Sequence, residues 1–272
     1  MDLDAALAHV WPGGVEAVTP LGGGITNHNF KVIVGGKAFV LRIGGKDTEL
    51  LGIDRDHEHA ASLVAASLGV GPEVVAFVDG CLVTRFIEGH PVPPETLAPS
   101  RVGKVLRLIH DGPPIPSHFD AFRVVEAYRR TAEEHGVAIP FAYAEAARRA
   151  ASIEPRHRGR AVRLCHNDLL NANFIDDDAR LRIVDWEYAG MGDPFFDLGN
   201  FAVNHRLDDL GERALLEAHS GDAGDEAIAA LHDMRFMSDF REAMWGVVQQ
   251  AISDVDFDFV AYADEHFERA LA

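Results

Sequence analysis

The sequence predicts an α+β chain in two lobes, an antiparallel sheet with one inserted helix followed by a mostly helical lobe. Three features lead there. Over residues 1–89, short β-rich runs alternate with glycine turns. Pro91, Pro93 and Pro94 then interrupt the pattern and mark a boundary, giving an N-terminal lobe at 1–89 and a C-terminal lobe at 90–272. Beyond it, long stretches rich in Ala, Leu, Arg and Glu carry helical spacing.

In chain order, residues 15–20, 30–34 and 38–43 read as strands, with Gly35-Gly36 as the hairpin turn between the last two. Residues 54–68 read as a helix, because Ala60, Ala61, Leu63, Val64 and Leu68 recur at helical spacing and Gly69 follows as a stop. Residues 74–78 and 81–85 pair around Asp79-Gly80, a second hairpin. The second lobe is expected to hold helices at 96–110, 122–135, 143–153, 195–205, 208–219, 226–253 and 257–271. Two short β runs interrupt them, 173–175 and 181–184, around the acidic turn Asp176-Asp177-Asp178.

Composition narrows the function classes. The 272 residues carry 43 acids against 25 Lys and Arg, a formal charge of −18 that repels nucleic-acid backbones and anionic membranes. That balance suits a cationic substrate, and it equally suits a surface that is acidic for solubility. No apolar run approaches the roughly 20 residues of a membrane helix. The acidic start Met1-Asp2-Leu3-Asp4 lacks the basic flank of a signal peptide, so a cytoplasmic protein is expected. Two cysteines, Cys81 and Cys165, are too few for a disulfide framework. Nothing in the sequence sets an oligomeric state.

The chemistry concentrates in the run His166-Asn167-Asp168-Leu169-Leu170-Asn171-Ala172-Asn173, followed by Ile183-Val184-Asp185-Trp186-Glu187. In-line phosphoryl transfer from a magnesium nucleotide needs a carboxylate to orient the attacking hydroxyl and oxygen donors for the metal. Asp168 suits the first role. Asn173 and Asp185 suit the second, since magnesium prefers carboxylate and amide oxygens. Asn171 is a competing amide at the wrong spacing. His166 is expected to orient the loop by hydrogen bonds, and Asp197 to steady it as a buried acid.

Upstream, Leu21-Gly22-Gly23-Gly24-Ile25-Thr26-Asn27 joins the first two strands. Glycines let backbone N–H groups approach phosphate oxygens, and Thr26 and Asn27 add short polar side chains, so Gly23, Gly24, Thr26 and Asn27 are candidate nucleotide contacts. The same triplet also suits a plain hairpin loop. Arg42, near the end of the third strand, is the candidate cation for the phosphates, its guanidinium a rigid fork for their oxygens. Glu58 on the following helix is its natural partner, with Glu73 a rival. Phe86 and Ile87 end the last strand of the first lobe, where a connecting segment can flank adenine.

Taken together these residues resemble the choline/ethanolamine kinase family, which sits with the aminoglycoside phosphotransferases in the protein-kinase-like fold. The shared stretches are Gly22 to Asn27, Val40-Leu41-Arg42-Ile43, His166 to Asn173, Val184-Asp185-Trp186-Glu187-Tyr188, Phe196-Asp197-Leu198-Gly199-Asn200, and the C-terminal Met244-Trp245-Gly246 with Phe257, Tyr262 and Phe267. They span nearly the whole chain. The resemblance implies ATP and Mg2+ as cofactors, Asp168 as catalytic base, Asn173 and Asp185 as metal ligands, and Arg42 with Glu58 at the phosphates. It also implies a small alcohol as acceptor, enclosed by aromatic faces and acids. Trp245 matches one wall, with Glu187 and Tyr188 near it, while plain core packing is an equal reading of Trp245. The chain departs from the pattern at Glu242, where eukaryotic members carry a second tryptophan, and at Asn204 and His205. The departures turn expectation from choline toward ethanolamine or thiamine. An amino-sugar kinase and a nucleotide-binding pseudokinase remain as alternatives.

Overall fold

The computed structural model describes residues 2–22, 27–253 and 255–272. Ahead of the first expected strand lies a helix for which no element was assigned from sequence, α1 (Leu3–Val10). Its signals are local: Asp2 accepts the Ala5 N–H at 2.8 Å, and Leu3, Ala6, Leu7 and Val10 share one face. Ala6 is fully buried in one cluster with Val32, Leu41 and Val83.

The N-terminal sheet has five antiparallel strands, β1 (Ala17–Leu21), β2 (Asn27–Val34), β3 (Lys37–Gly44), β4 (Val74–Val78) and β5 (Cys81–Arg85), in the order β1-β2-β3-β5-β4. Gly35 and Gly36 both take positive φ at the β2–β3 turn, as a tight hairpin requires. Along β3, Phe39, Leu41 and Ile43 are buried on one face. Alternation therefore puts Arg42 on the other, across from Asn29.

Helix α2 (Arg55–Ser67) starts at the N-cap Asp54, which accepts from the N–H groups of Asp56 and His57. Its Ala61 and Ala65 are fully buried in one core with Leu164, Phe174 and Ile183 of the second lobe. The helix expected inside the first sheet thus lends its small-residue face to the other lobe. The Ile183 N–H reinforces the junction by donating to the Val70 carbonyl at 2.8 Å.

The second lobe opens with a two-residue strand, β6 (His90–Pro91), then α3 (Pro99–His110), α4 (Ala121–Glu134) and α5 (Ala142–His157). Strands β7 (Arg163–Cys165), β8 (Phe174–Asp176), β9 (Leu181–Ile183) and β10 (Gly190–Gly192) follow, then α6 (Pro194–Asn204), α7 (Asp209–Ser220), α8 (Asp225–Ile252) and α9 (Phe259–Leu271). The paired runs β8 and β9 lie where sequence put them, whereas β6, β7 and β10 carry no strand propensity to read. Partners impose them: β6 pairs with β8, and β10 with β7. A Cβ on Gly190 or Gly192 would come within 3.0 or 2.8 Å of the His118–Phe119 backbone, so only glycine fits there.

Helix α8 is the axis of this lobe. Every residue from Phe236 to Gln249 is buried, which explains its weak amphipathic pattern. Asp54, Asp120, Asp193, Asp208 and Asp258 each cap a helix N-terminus, so part of the acid excess serves helix starts. Among the described residues no helix is long and apolar enough to cross a membrane.

Helices α6 and α8 touch backbone to backbone at Gly199, where an added Cβ would fall 2.5 Å from the Met234 carbonyl carbon and 2.6 Å from the Arg235 nitrogen. Gly199→Ala is expected to lower unfolding free energy by about 1–3 kcal/mol, read by urea denaturation.

Candidate active site

The loop between β7 and β8 turns sharply at Asn167, whose φ is 67°, a left-handed conformation uncommon outside glycine. Asp197 of α6 holds the turn from behind. Its carboxylate, with no solvent exposure, accepts the N–H of His166 at 2.8 Å and of Asn167 at 2.7 Å. His166 adds a second tie. Its Nε2 donates to the Val184 carbonyl at 3.0 Å and its Nδ1 accepts the Asp168 N–H at 3.2 Å, an arrangement that suits the neutral ring. Burial holds its pKa below the usual histidine value.

Asn173 joins this loop to the strand pair that follows. Its Nδ2 donates to the Asp168 carbonyl at 2.8 Å and lies 3.5 Å from the Asp168 carboxylate, while its own carbonyl accepts the Val184 N–H at 3.0 Å. Asp185 follows, again left-handed at φ 68°. Asp168, Asn173 and Asp185 therefore meet in one place. The side-chain oxygen of Asn173 and the Asp185 carboxylate form a hard-donor set that fits magnesium.

Arg42 reaches this point from β3. Its Nη1 contacts Glu58 at 2.8 Å and Asp185 at 2.5 Å, so the Arg42–Glu58 pair read from sequence is present. Glu73 instead lies 3.7 Å from Arg85. Burial opposes ionisation of Asp185, yet the adjacent Arg42 guanidinium holds its pKa below the usual carboxylate range. Asp168 goes the other way: burial pushes its pKa well up, and Arg241 only partly offsets burial and the nearby acids.

A cleft of about 400 Å³ runs under the sheet, lined by Leu21, Val40, Arg42, Phe86, Ile87, Asn173 and Asp185 among others. Phe86 and Ile87 thus face the same space as the candidate metal ligands. Asp168 does not line that cleft. Gly23, Gly24 and Thr26 lie outside the described residues. Asn27 is buried away from a phosphate-cradling position: its Nδ2 donates to Glu187 Oε2 at 2.8 Å and its Oδ1 accepts from Arg55 Nη2 at 2.8 Å.

Glu187, expected beside the acceptor, points into the same cluster and also meets Arg55 Nη1 at 3.2 Å. Burial and the Asp185 charge push its pKa up to about 7. Arg55, which no motif singled out, bridges Glu58 and Glu187 and accounts for both placements.

On the other side of Asp168, α8 contributes Arg241, Glu242 and Trp245. Glu242 accepts from Arg241 Nη1 at 2.6 Å and from the Tyr262 hydroxyl at 2.8 Å. Trp245 is 8% exposed, packs against Phe259 and Tyr262, and donates its indole N–H to the Tyr188 hydroxyl at 3.1 Å. It is core and pocket wall at once. Arg241 is a second residue that motif spacing does not show. Its one sequence signal is a charged pair inside an otherwise apolar stretch, Phe236 to Val248.

A two-lobed phosphotransferase fold with carboxylates and an amide beneath a glycine hairpin defines the class. The chain belongs to the phosphotransferase enzyme family, whose profile matches residues 17–236. It is 32% identical to a choline/ethanolamine kinase family protein from Mesorhizobium loti, whose crystal structure matches with a TM-score of 0.83 over 98% of this chain and 92% of that one. The protein LicA of Haemophilus influenzae is 29% identical over 216 residues, 72% of this chain and 61% of LicA. Ethanolamine kinase 2 of Rattus norvegicus is 24% identical over 263 residues, 85% of this chain and 68% of that protein. The chain thus spans about three fifths to two thirds of the length of these two relatives. The choline/ethanolamine kinase resemblance and the protein-kinase-like α+β fold read from sequence are both borne out.

One prediction concerns the support behind the loop. His110 Nε2 lies 3.0 Å from Asp197 Oδ2 and His110 Nδ1 lies 2.8 Å from His219 Nε2. Burial, then His110, lowers the His219 pKa from 6.5 to about 4, with Asp197, Asp111 and Arg107 also in range. A depressed histidine contributes stability above its unfolded value that is lost as pH falls through the folded one. Melting temperature should therefore drop between pH 6.5 and 4, and His219→Gln should flatten that drop.

Proposed function

We propose that the chain is an ATP-dependent kinase that transfers the γ-phosphoryl group to the hydroxyl of a small, cationic alcohol. The observation that carries this reading is the meeting of Asp168, Asn173 and Asp185, with Arg42 bound to Asp185 at the inner end of the cleft. A cleft of about 400 Å³ with apolar walls suits a nucleotide base. Phe86 and Ile87 would flank the adenine, and the glycines Gly23 and Gly24 with Thr26 would cover the phosphates.

The proposed chemistry follows from the charges. Asn173 and Asp185 would hold magnesium, which when bound neutralises phosphate charge. Asp168 orients the acceptor hydroxyl and takes up its proton, a role its raised pKa favours. Arg42, fixed by Glu58, keeps a positive charge near the phosphates without having to reorganise. The acceptor side of Asp168 carries Tyr188, Glu242 and Trp245, and Glu187 lies in the adjoining acid cluster, surroundings that favour a small positive head group. We infer a cytoplasmic enzyme, since ATP is its phosphoryl donor.

Turnover of ATP with ethanolamine, choline, thiamine and an aminoglycoside tests the reading. Asp168→Asn should lower kcat by about 10²–10⁴-fold with nucleotide affinity kept. Asp185→Ala should abolish the magnesium dependence of nucleotide binding measured by calorimetry. A wild-type protein that consumes no ATP with any acceptor refutes the proposal.

A further inference from the structure

The seat that a positive head group would take beside Asp168 already contains a cation belonging to the protein. Arg241 is 1% exposed, and its guanidinium carbon lies 4.3 Å from the Tyr188 ring centroid. Its Nη1 is 2.6 Å from Glu242 Oε1 and 3.8 Å from Asp168 Oδ1. Its Nε and Nη2 are buried with no hydrogen-bond partner, so the aromatic face of Tyr188 is their main compensation.

We infer that Arg241 is a specificity-determining residue that closes the acceptor pocket to methylated ammonium groups and leaves it open to primary amino-alcohols. This rests on the kinase reading above and refines its acceptor. A trimethylammonium group has no N–H to donate, so an aromatic face and diffuse negative charge are what bind it. Here Arg241 covers the Tyr188 face and neutralises Glu242, and its own charge repels a second cation. A primary ammonium needs neither. It donates directional N–H bonds to carboxylates that retain lone pairs, since Glu242 oxygens each accept one bond and Asp168 has only long contacts, 3.5 and 3.8 Å.

Other features on the molecule give less. A cavity of about 740 Å³ between α4, α5 and β10 has arginines at its rim, but Arg123 and Arg158 there already pair with Glu154. The buried cluster His110, Cys165 and Asp197 is occupied in holding the loop.

The test is a methylation series: ethanolamine, N-methylethanolamine, N,N-dimethylethanolamine and choline, with kcat/KM measured for the wild type, Arg241→Leu and Arg241→Lys. For the wild type we expect a fall at each methyl, reaching about tenfold or more between the ends of the series. Arg241→Leu should flatten or reverse that order, and Arg241→Lys, which keeps a charge beside Glu242, should retain it. A flat or rising wild-type series overturns the inference, as does a leucine variant that folds by circular dichroism and keeps the wild-type order. Should the leucine variant not fold, the lysine variant and the wild-type series decide. If the wild type phosphorylates none of the four, the kinase reading fails separately. Calorimetric binding of the same four compounds then decides the role of Arg241, with equal affinity for choline and ethanolamine counting against it.

Discussion

The turn that presents Asp168 depends on one carboxylate placed behind it. Asp197 has no contact with solvent and would be costly there without donors, by several kcal/mol on the order of a desolvated charge. It has three: two loop N–H groups and the His110 ring. Their bonds hold its pKa low despite burial. In return they fix a left-handed residue at Asn167, a conformation that a free chain would leave. The position of Asp168 is thus set by the start of α6, and α6 is set in turn by the glycine contact with α8.

A second set of charges joins the sheet to the acidic strand end. Arg42 serves Glu58 and Asp185, while Arg55 serves Glu58 and Glu187, and Asn27 closes the ring between Arg55 and Glu187. Each acid here has at least one cation. Deleting a single member strands a buried charge, which costs about 3–5 kcal/mol where measured in other proteins. The cluster is therefore a geometric clamp: it sets the distance between β3 and Asp185 and so the depth of the cleft between them.

Much of this was legible in the residues. Periodicity gave the strands of the first sheet and the large helices, since glycine turns and helical spacing are local signals. The motif from His166 to Asp185 named side chains that do meet. What stayed hidden depended on partners. Gly190 to Gly192 form a strand because β7 and the His118–Phe119 segment are there, not because glycine favours strands. Arg55 and Arg241 look like ordinary charged residues until the fold brings acids to them. Asn27 sits in a glycine-rich loop by sequence, and its amide is drawn instead to Glu187 across 160 positions of chain.

Helix α2 has a wider consequence. Ala61 and Ala65 are covered by side chains that arrive more than a hundred residues later. The first 89 residues, isolated, would leave that alanine face wet and Glu58 without the acidic strand end that shares its arginine. The two lobes consequently form one cooperative unit, and neither is a cassette that recombination can graft onto a foreign neighbour. Any opening of the cleft has to be carried by the strands turning about a helix that stays where it is.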